Sequence, residues 1–282
     1  MNRIAVATDL SARGRVAIDR AHRIAQATNA SLLLLHAVDD DQPADIVEAA
    51  VARAREHLER DAHLGGTAVP HVQEVVTGDI YLALHEAAER ANVDLLVVGD
   101  HRRSLVRDAF RDTTVERLTR LTTIPVLLAR VPIAGSYRRA LLGVEAGETA
   151  ELVRVLDSFE AAGPKKLTAL HAFDAAASGF MASISVPADR IEQYRKDVAD
   201  TARRRLWESL DEGLRQRVRL RVEEDAPVHA LQAVAAEEEC DLIAVSTHAR
   251  RGVLRMLLGS VSSDLIRHGT TDLLIVPRAG TG

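Results

Sequence analysis

Val245-Ser-Thr-His-Ala-Arg-Arg-Gly-Val-Leu-Arg-Met-Leu-Leu-Gly-Ser-Val-Ser-Ser-Asp-Leu265 is the stretch on which the reading of this chain turns. It leaves an apolar run, Asp241-Leu242-Ile243-Ala244-Val245, with the length and composition of a buried strand. A polar, basic loop follows, and Gly259-Ser260 then opens an amphipathic helix. The first amides of a helix have no partners within it, and the helix dipole adds partial positive charge at that end. Strand, loop and helix in this order make a place suited to an anion, most often a phosphate.

Working outward, the same alternation fills the chain. Ile4 to Thr8 reads as a short buried strand, and a helix from about Ser11, its N-cap, carries Val16, Ala17, Ala21, Ile24 and Ala25 on one face. Ser31 to Val38 holds four consecutive leucines, too short a run for a membrane helix and suited to a strand buried on both faces. An Ala-rich helix spans Pro43 to Leu64 and is stopped by Gly65-Gly66. Val69 to Val76 is a strand, Asp79 to Ala91 a helix and Asp94 to Gly99 a strand. After a loop from Asp100 to Arg111, a helix begins at Thr113, and Ile124 to Val131 is a fifth strand. Strand and helix in strict alternation predict an α/β protein with a parallel sheet covered on both faces.

The order restarts after Pro132-Ile133-Ala134-Gly135-Ser136. Ala140 to Val144 repeats the first strand, Leu167 to Phe173 the second, and Asp94 to Val98 recurs as Asp241 to Val245. His101 recurs as His248, Thr113 as Ser260, and Val126-Leu127-Leu128 as Leu273-Leu274-Ile275. This is an internal duplication, with units at 1–132 and 137–282. The second copy carries an insertion at 174–186, then a long helix to about Gly213 marked by Ile191, Tyr194, Val198, Ala202, Leu206 and Leu210.

The quoted loop resembles the signature of the universal stress protein family, Gly-x2-Gly-x9-Gly-Ser/Thr. Here it stands as Ser246-x2-Ala249-x9-Gly259-Ser260, with the spacing kept and two of three glycines replaced. The resemblance covers the whole chain as two tandem copies. It implies five-stranded parallel sheets of order 3-2-1-4-5, joined through their fifth strands as an internal pseudo-dimer, with association into a further homodimer left open. It also implies an ATP or AMP site, in which an Asp ending the first strand meets the nucleoside and the glycine loop holds the phosphates.

Carried over residue by residue, the two halves differ. In the first, where Thr8 is a further candidate lining residue, Asp9 and Gly99 match, but Arg102 replaces the second glycine and Asp112 stands where the phosphate-facing glycine belongs. A carboxylate there repels phosphate, and Thr113-x-x-Glu116 has the pattern of a capping box that occupies the helix-start amides. The first site is expected to be defunct. In the second half the candidate lining is Gly143, Val144, Glu145, Ser246, Thr247, His248 and Ala249, with the amides of Gly259, Ser260 and Val261 for phosphate. Glu145 replaces the family Asp there, and Arg250, Arg251 and Arg255 add charge nearby.

Composition narrows the classes. The chain of 282 residues has 47% hydrophobic and 27% charged residues, ordinary for a globular protein long enough for about two domains. A net charge of −5 argues against a general nucleic-acid binder. The opening residues lack signal-peptide architecture, no apolar run suggests a membrane span, and one cysteine, Cys240, fits a reducing compartment. The expectation is a cytoplasmic protein without a membrane partner. Cys240 sits between Glu239 and Asp241, which raise a thiol pKa, so a structural thiol is expected.

His36 with His101, and His171 with His248, fall near one sheet edge, but without a ligand motif they read as structural or pocket-lining, and no metal is expected. Phe180 and Met181 in the insertion are read as loop packing, with a lid over a ligand as the sharper alternative. No catalytic constellation is present. Three readings follow: a non-catalytic stress sensor binding an adenine nucleotide in the second half; a regulatory binding protein with both sites defunct, using another ligand or a protein partner; and a weak ATPase.

Overall fold

The computed structural model describes residues 1–64, 69–100, 113–132, 134–173, 181, 183–247 and 258–278. The first half contains β1 (Arg3–Ala7), α1 (Ala12–Thr28), β2 (Ser31–Val38), α2 (Ala44–Leu64), β3 (His71–Thr77), α3 (Ile80–Arg90), β4 (Leu95–Gly99), α4 (Thr114–Leu121) and β5 (Val126–Ala129). The second contains β6 (Arg139–Gly143), α5 (Thr149–Asp157), β7 (Lys166–Phe173), α6 (Ala188–Glu208), α7 (Glu212–Arg217), β8 (Val218–Glu224), α8 (Pro227–Glu237), β9 (Leu242–Thr247), α9 (Ser260–His268) and β10 (Asp272–Pro277).

All ten strands form one sheet in the order β3-β2-β1-β4-β5-β10-β9-β6-β7-β8. Pairing is parallel within each half, and the halves meet where β5 and β10 run antiparallel. There Leu127 faces Leu274, flanked by Leu128 with Leu273 and Val126 with Ile275. Because Leu127 and Leu274 are equivalent in the duplication, this register places an approximate two-fold axis between them. The leucine run of β2 shows why the sheet is covered twice. Leu32 and Leu34 join one core, Leu33 and Leu35 the other, and each core spans both halves.

A polar network ties the seam together, and it has no symmetric copy. Asp272, fully buried, accepts from the amides of Arg130 (2.8 Å) and Val131 (3.1 Å) and from the Tyr137 hydroxyl (2.7 Å). It also pairs with the buried Arg20 guanidinium at 3.2 Å, which stacks 4.4 Å from the Tyr137 ring centroid. Burial, then the Asp272 charge, push the Tyr137 hydroxyl well above its usual pKa, so it stays a donor.

This network corrects one expectation. The fifth strand was expected to reach Val131, yet β5 stops at Ala129, because the next two amides donate to Asp272 rather than to a strand. A second correction concerns the long helix expected to run to Gly213. α6 ends at Glu208, and Asp211, accepting from the Leu214 amide at 2.8 Å, starts the separate α7. Leu206, Leu210 and Leu214 are all buried, so the apolar spacing runs across the break. Gly65-Gly66 lies outside the described residues. Among the described residues no helix is long and apolar enough to cross a membrane.

Candidate functional site

Each half has one place where consecutive connections leave the sheet toward opposite faces. β1 leads into α1, whose Ala17, Ile18 and Ala21 join one core; adjacent β4 leads toward α4, whose Val115 and Leu118 join the other. β6 and β9 repeat this with α5 and α9. Such divergence opens a crevice beyond the carboxyl ends of the strands.

The first crevice is a cavity of about 290 Å³ lined by Thr8, Asp9, His36, Gly99, Asp100 and Thr114 among others. Asp9 is engaged by its own loop, accepting from the amide (3.0 Å) and hydroxyl (2.5 Å) of Ser11, the observed N-cap of α1. Gly99 is closely packed. A Cβ there would lie 3.0 Å from the Arg13 carbonyl oxygen, so close that the first turn of α1 would have to give way slightly.

At the start of α4 the capping box is complete. The Thr113 hydroxyl accepts from the Glu116 amide (3.1 Å), and the Glu116 carboxylate accepts from the Thr113 amide (2.8 Å). Glu116 is fully buried and also receives Arg267 of α9 at 2.8 Å. Burial pushes its pKa up, but the Arg267 and Thr113 hydrogen bonds outweigh this and hold it below the usual value. Arg102 and Asp112 lie outside the described residues.

The second crevice, of about 240 Å³, brings Gly143, Val144, Glu145, Ser246, Gly259, Ser260 and Val261 together. Thr247 follows Ser246 as a buried residue but is not part of this lining, and His248 and Ala249 lie outside the described residues, as do Arg250, Arg251 and Arg255. α9 starts at Gly259 with no side-chain cap and no acid in its first turn. Space over Gly259 is open, with no described atom within 4 Å of an added Cβ. The Ser246 hydroxyl, at a residue 8% exposed, is buried and has no hydrogen-bond partner among the described residues.

One residue missed in the sequence, Glu148, also lines the second crevice. Glu148, 4% exposed, accepts from the Glu145 amide at 3.0 Å and pairs with Arg278 at 3.0 Å. The spacing Glu145-x-x-Glu148 before a helix carried the signal, because such a carboxylate can turn back onto the preceding amide. Glu145 itself is exposed at the cavity wall.

The remaining candidates fall into place around these crevices. His36 and His171 make the same contact, ring Nδ1 to the backbone carbonyls of Thr8 (2.8 Å) and Val144 (3.1 Å), and each lines its crevice. Among the described residues no cluster of His, Cys, Asp and Glu is placed to hold a metal. Met181 accepts at its carbonyl from Val186 and lines neither crevice, while Phe180 lies outside the described residues. The Cys240 thiol is pushed up to about 11 by burial, then by Glu238 and Asp241; the expected contribution of Glu239 is taken by Glu238.

Comparison with known proteins agrees with this architecture. The family model described as the universal stress protein family matches residues 1–130 and again 136–277. Universal stress protein A homolog 1 of Coxiella burnetii is 31% identical over 108 residues, 35% of this chain and 75% of that protein. The structure of a universal stress protein from Archaeoglobus fulgidus superposes with a TM-score of 0.67 at 15% identity, covering 99% of both chains. A universal stress protein solved in complex with cAMP is 29% identical, covering 46% of this chain and 96% of its own, with a TM-score of 0.37. The chain belongs to the universal stress protein family, with two copies of the family domain in tandem.

Proposed function

We propose that this protein is a non-catalytic sensor that binds an adenine nucleotide, ATP or AMP, in the crevice of its second unit, residues 137–282. The observation that carries this reading is the contrast between two equivalent helix starts. That of α4 is closed by Thr113 and Glu116, whereas that of α9 has no side-chain cap and faces a cavity lined by Ser246, whose buried hydroxyl has no hydrogen-bond partner among the described residues. In the proposed complex the amides of Gly259, Ser260 and Val261 hold phosphate, where backbone donors and the helix dipole act together. Ser246 supplies a hydroxyl from the floor, and Gly143 and Val144 flank the nucleoside side. The choice of adenine rests on the family resemblance.

The first unit, residues 1–132, keeps its crevice but offers no open helix start, and on this reading it serves as a structural partner. Ligand binding would change the surface that this end of the sheet shows to a partner protein. Calorimetric titration of ATP and AMP into the wild type and Gly259→Asp tests the reading. Saturable wild-type binding that the variant loses supports it. Absence of binding by the folded wild type at millimolar nucleotide would leave the second reading, a regulatory protein with both sites defunct.

A further inference from the structure

A second cavity of about 530 Å³ opens at the opposite end of the second half's sheet, where β6, β7 and β8 begin. Its charged lining is Arg139, Lys165, Lys166, Arg217 and Arg219 against one carboxylate, Glu238. Asp157, outside the lining, closes on Arg217 through two hydrogen bonds of 3.0 and 2.5 Å. Five cations against these two acids leave a surplus of three positive charges at one place in a chain whose net charge is −5.

The duplication supplies an internal control. Arg139 pairs with Lys166 as Arg3 pairs with Ser31, and Leu167 pairs with Val218 as Leu32 pairs with His71. By this register Lys165, Lys166, Arg217 and Arg219 stand where the first half has Ala30, Ser31, Pro70 and Val72. Four uncharged positions in one copy are four cations in the other, although the backbone is the same. Packing does not explain the difference, because Lys165 and Lys166 are exposed.

The existing contacts divide the cations by role. Arg139 donates to the Glu238 carbonyl at 2.5 Å, and Arg219 lies 3.6 Å from the Glu238 carboxylate. That carboxylate also accepts from Thr168 at 2.8 Å and Arg221 at 3.2 Å, so its charge is absorbed by its neighbours. Among the described residues Lys165 and Lys166 form no side-chain ion pair; their amides are held by the Arg138 carbonyl at 3.1 and 3.2 Å, which fixes the backbone from which the two side chains extend. Compact ammonium charges beside fixed guanidinium groups suit an anion carrying several charges on adjacent oxygens.

We propose that this cavity is a second anion site, distinct from the nucleotide crevice, for a small oligophosphate of pyrophosphate or tripolyphosphate type. Lys165 and Lys166 contact the phosphates, and Arg139, Arg217 and Arg219 supply the field that makes a multiply charged anion preferable to a singly charged one. The same chemistry occurs in free oligophosphate and in the tail of a nucleoside triphosphate, and the test separates these sources.

The experiment titrates tripolyphosphate, and separately ATP, into the wild type, Gly259→Asp and the double variant Lys165→Glu/Lys166→Glu at 50 mM and 200 mM salt. Both lysines are exposed, and circular dichroism checks that the double variant is folded. Tripolyphosphate is expected to bind the wild type and Gly259→Asp alike, more weakly at high salt, and to lose at least tenfold in affinity in the double variant. ATP binding to Gly259→Asp that disappears in a further variant combining Gly259→Asp with Lys165→Glu/Lys166→Glu would identify the nucleotide tail as a source. No saturable tripolyphosphate binding at 50 mM salt, binding lost in Gly259→Asp but kept in the double variant, or equal competition by sulfate at matched ionic strength would overturn the proposal. Preferential binding of a short oligothymidylate over tripolyphosphate would overturn it as well.

Discussion

Residue 246 and its counterpart 99 show how the same backbone position takes different work in the two copies. At Gly99 a Cβ would crowd the carbonyl of Arg13, whereas Ser246 lines its cavity with a buried hydroxyl that has no partner among the described residues. A buried hydroxyl left without a partner costs about 1–3 kcal/mol. Ser246→Ala is therefore expected to leave the ligand-free protein as stable or slightly more stable in urea titration, while weakening nucleotide binding about three- to tenfold, one hydrogen bond's worth. Loss of stability without loss of affinity would assign Ser246 to the fold alone. Position 246 was legible through the preserved spacing to Gly259. The crowding at Gly99, which comes from a helix turn distant in sequence, was not, nor was Arg278 reaching Glu148 across 130 positions.

Among elements, α4 and α9 are the instructive pair. The capping box at Thr113 was legible because both its partners lie within four residues, and Gly259-Ser260 was legible as a start with no such closure. What local pattern could not show is that Glu116 also receives Arg267 from the other half, so the closed helix start of one unit is bonded to the helix that forms the open start in the other. The carboxylate's pKa lies below its ordinary value of 4.5 in the folded protein. Its stabilising contribution is thus complete above that value and is lost as pH falls through the depressed folded value. Glu116→Gln is expected to cost about 1–3 kcal/mol at neutral pH, and the difference from wild type should shrink on acidification below pH 4.5. A difference that stays constant to pH 2.5 would show that the charge contributes nothing. The break between α6 and α7 was missed for a physical reason: Leu206, Leu210 and Leu214 keep helical spacing through it, and only the Asp211 cap marks the new start.

At the scale of the whole molecule, alternation and repetition were the strongest signals, because buried parallel strands leave apolar runs that survive duplication. The seam was less legible. Asp272 stands opposite Pro125 in the duplicated alignment, so the network of Asp272, Arg20 and Tyr137 belongs to one copy only and cannot be inferred from the other. Removing the acid leaves Arg20, 3% exposed, as a buried charge without a counter-ion. Asp272→Asn is expected to destabilise the protein by about 3–5 kcal/mol, read as a lower urea midpoint. An unchanged midpoint would mean that the seam relies on its apolar residues alone.

The asymmetry between the copies, one helix start closed and the other open, is what carries the proposal that a nucleotide binds in the second half. Its most direct test is calorimetry of ATP and AMP with the wild type and with Gly259→Asp, in which the added side chain meets no described atom within 4 Å and circular dichroism checks the fold. Saturable binding to the wild type with one nucleotide per chain, abolished in the folded variant, is the predicted result. Wild-type binding that survives unchanged in Gly259→Asp, or no binding at millimolar nucleotide, would contradict it.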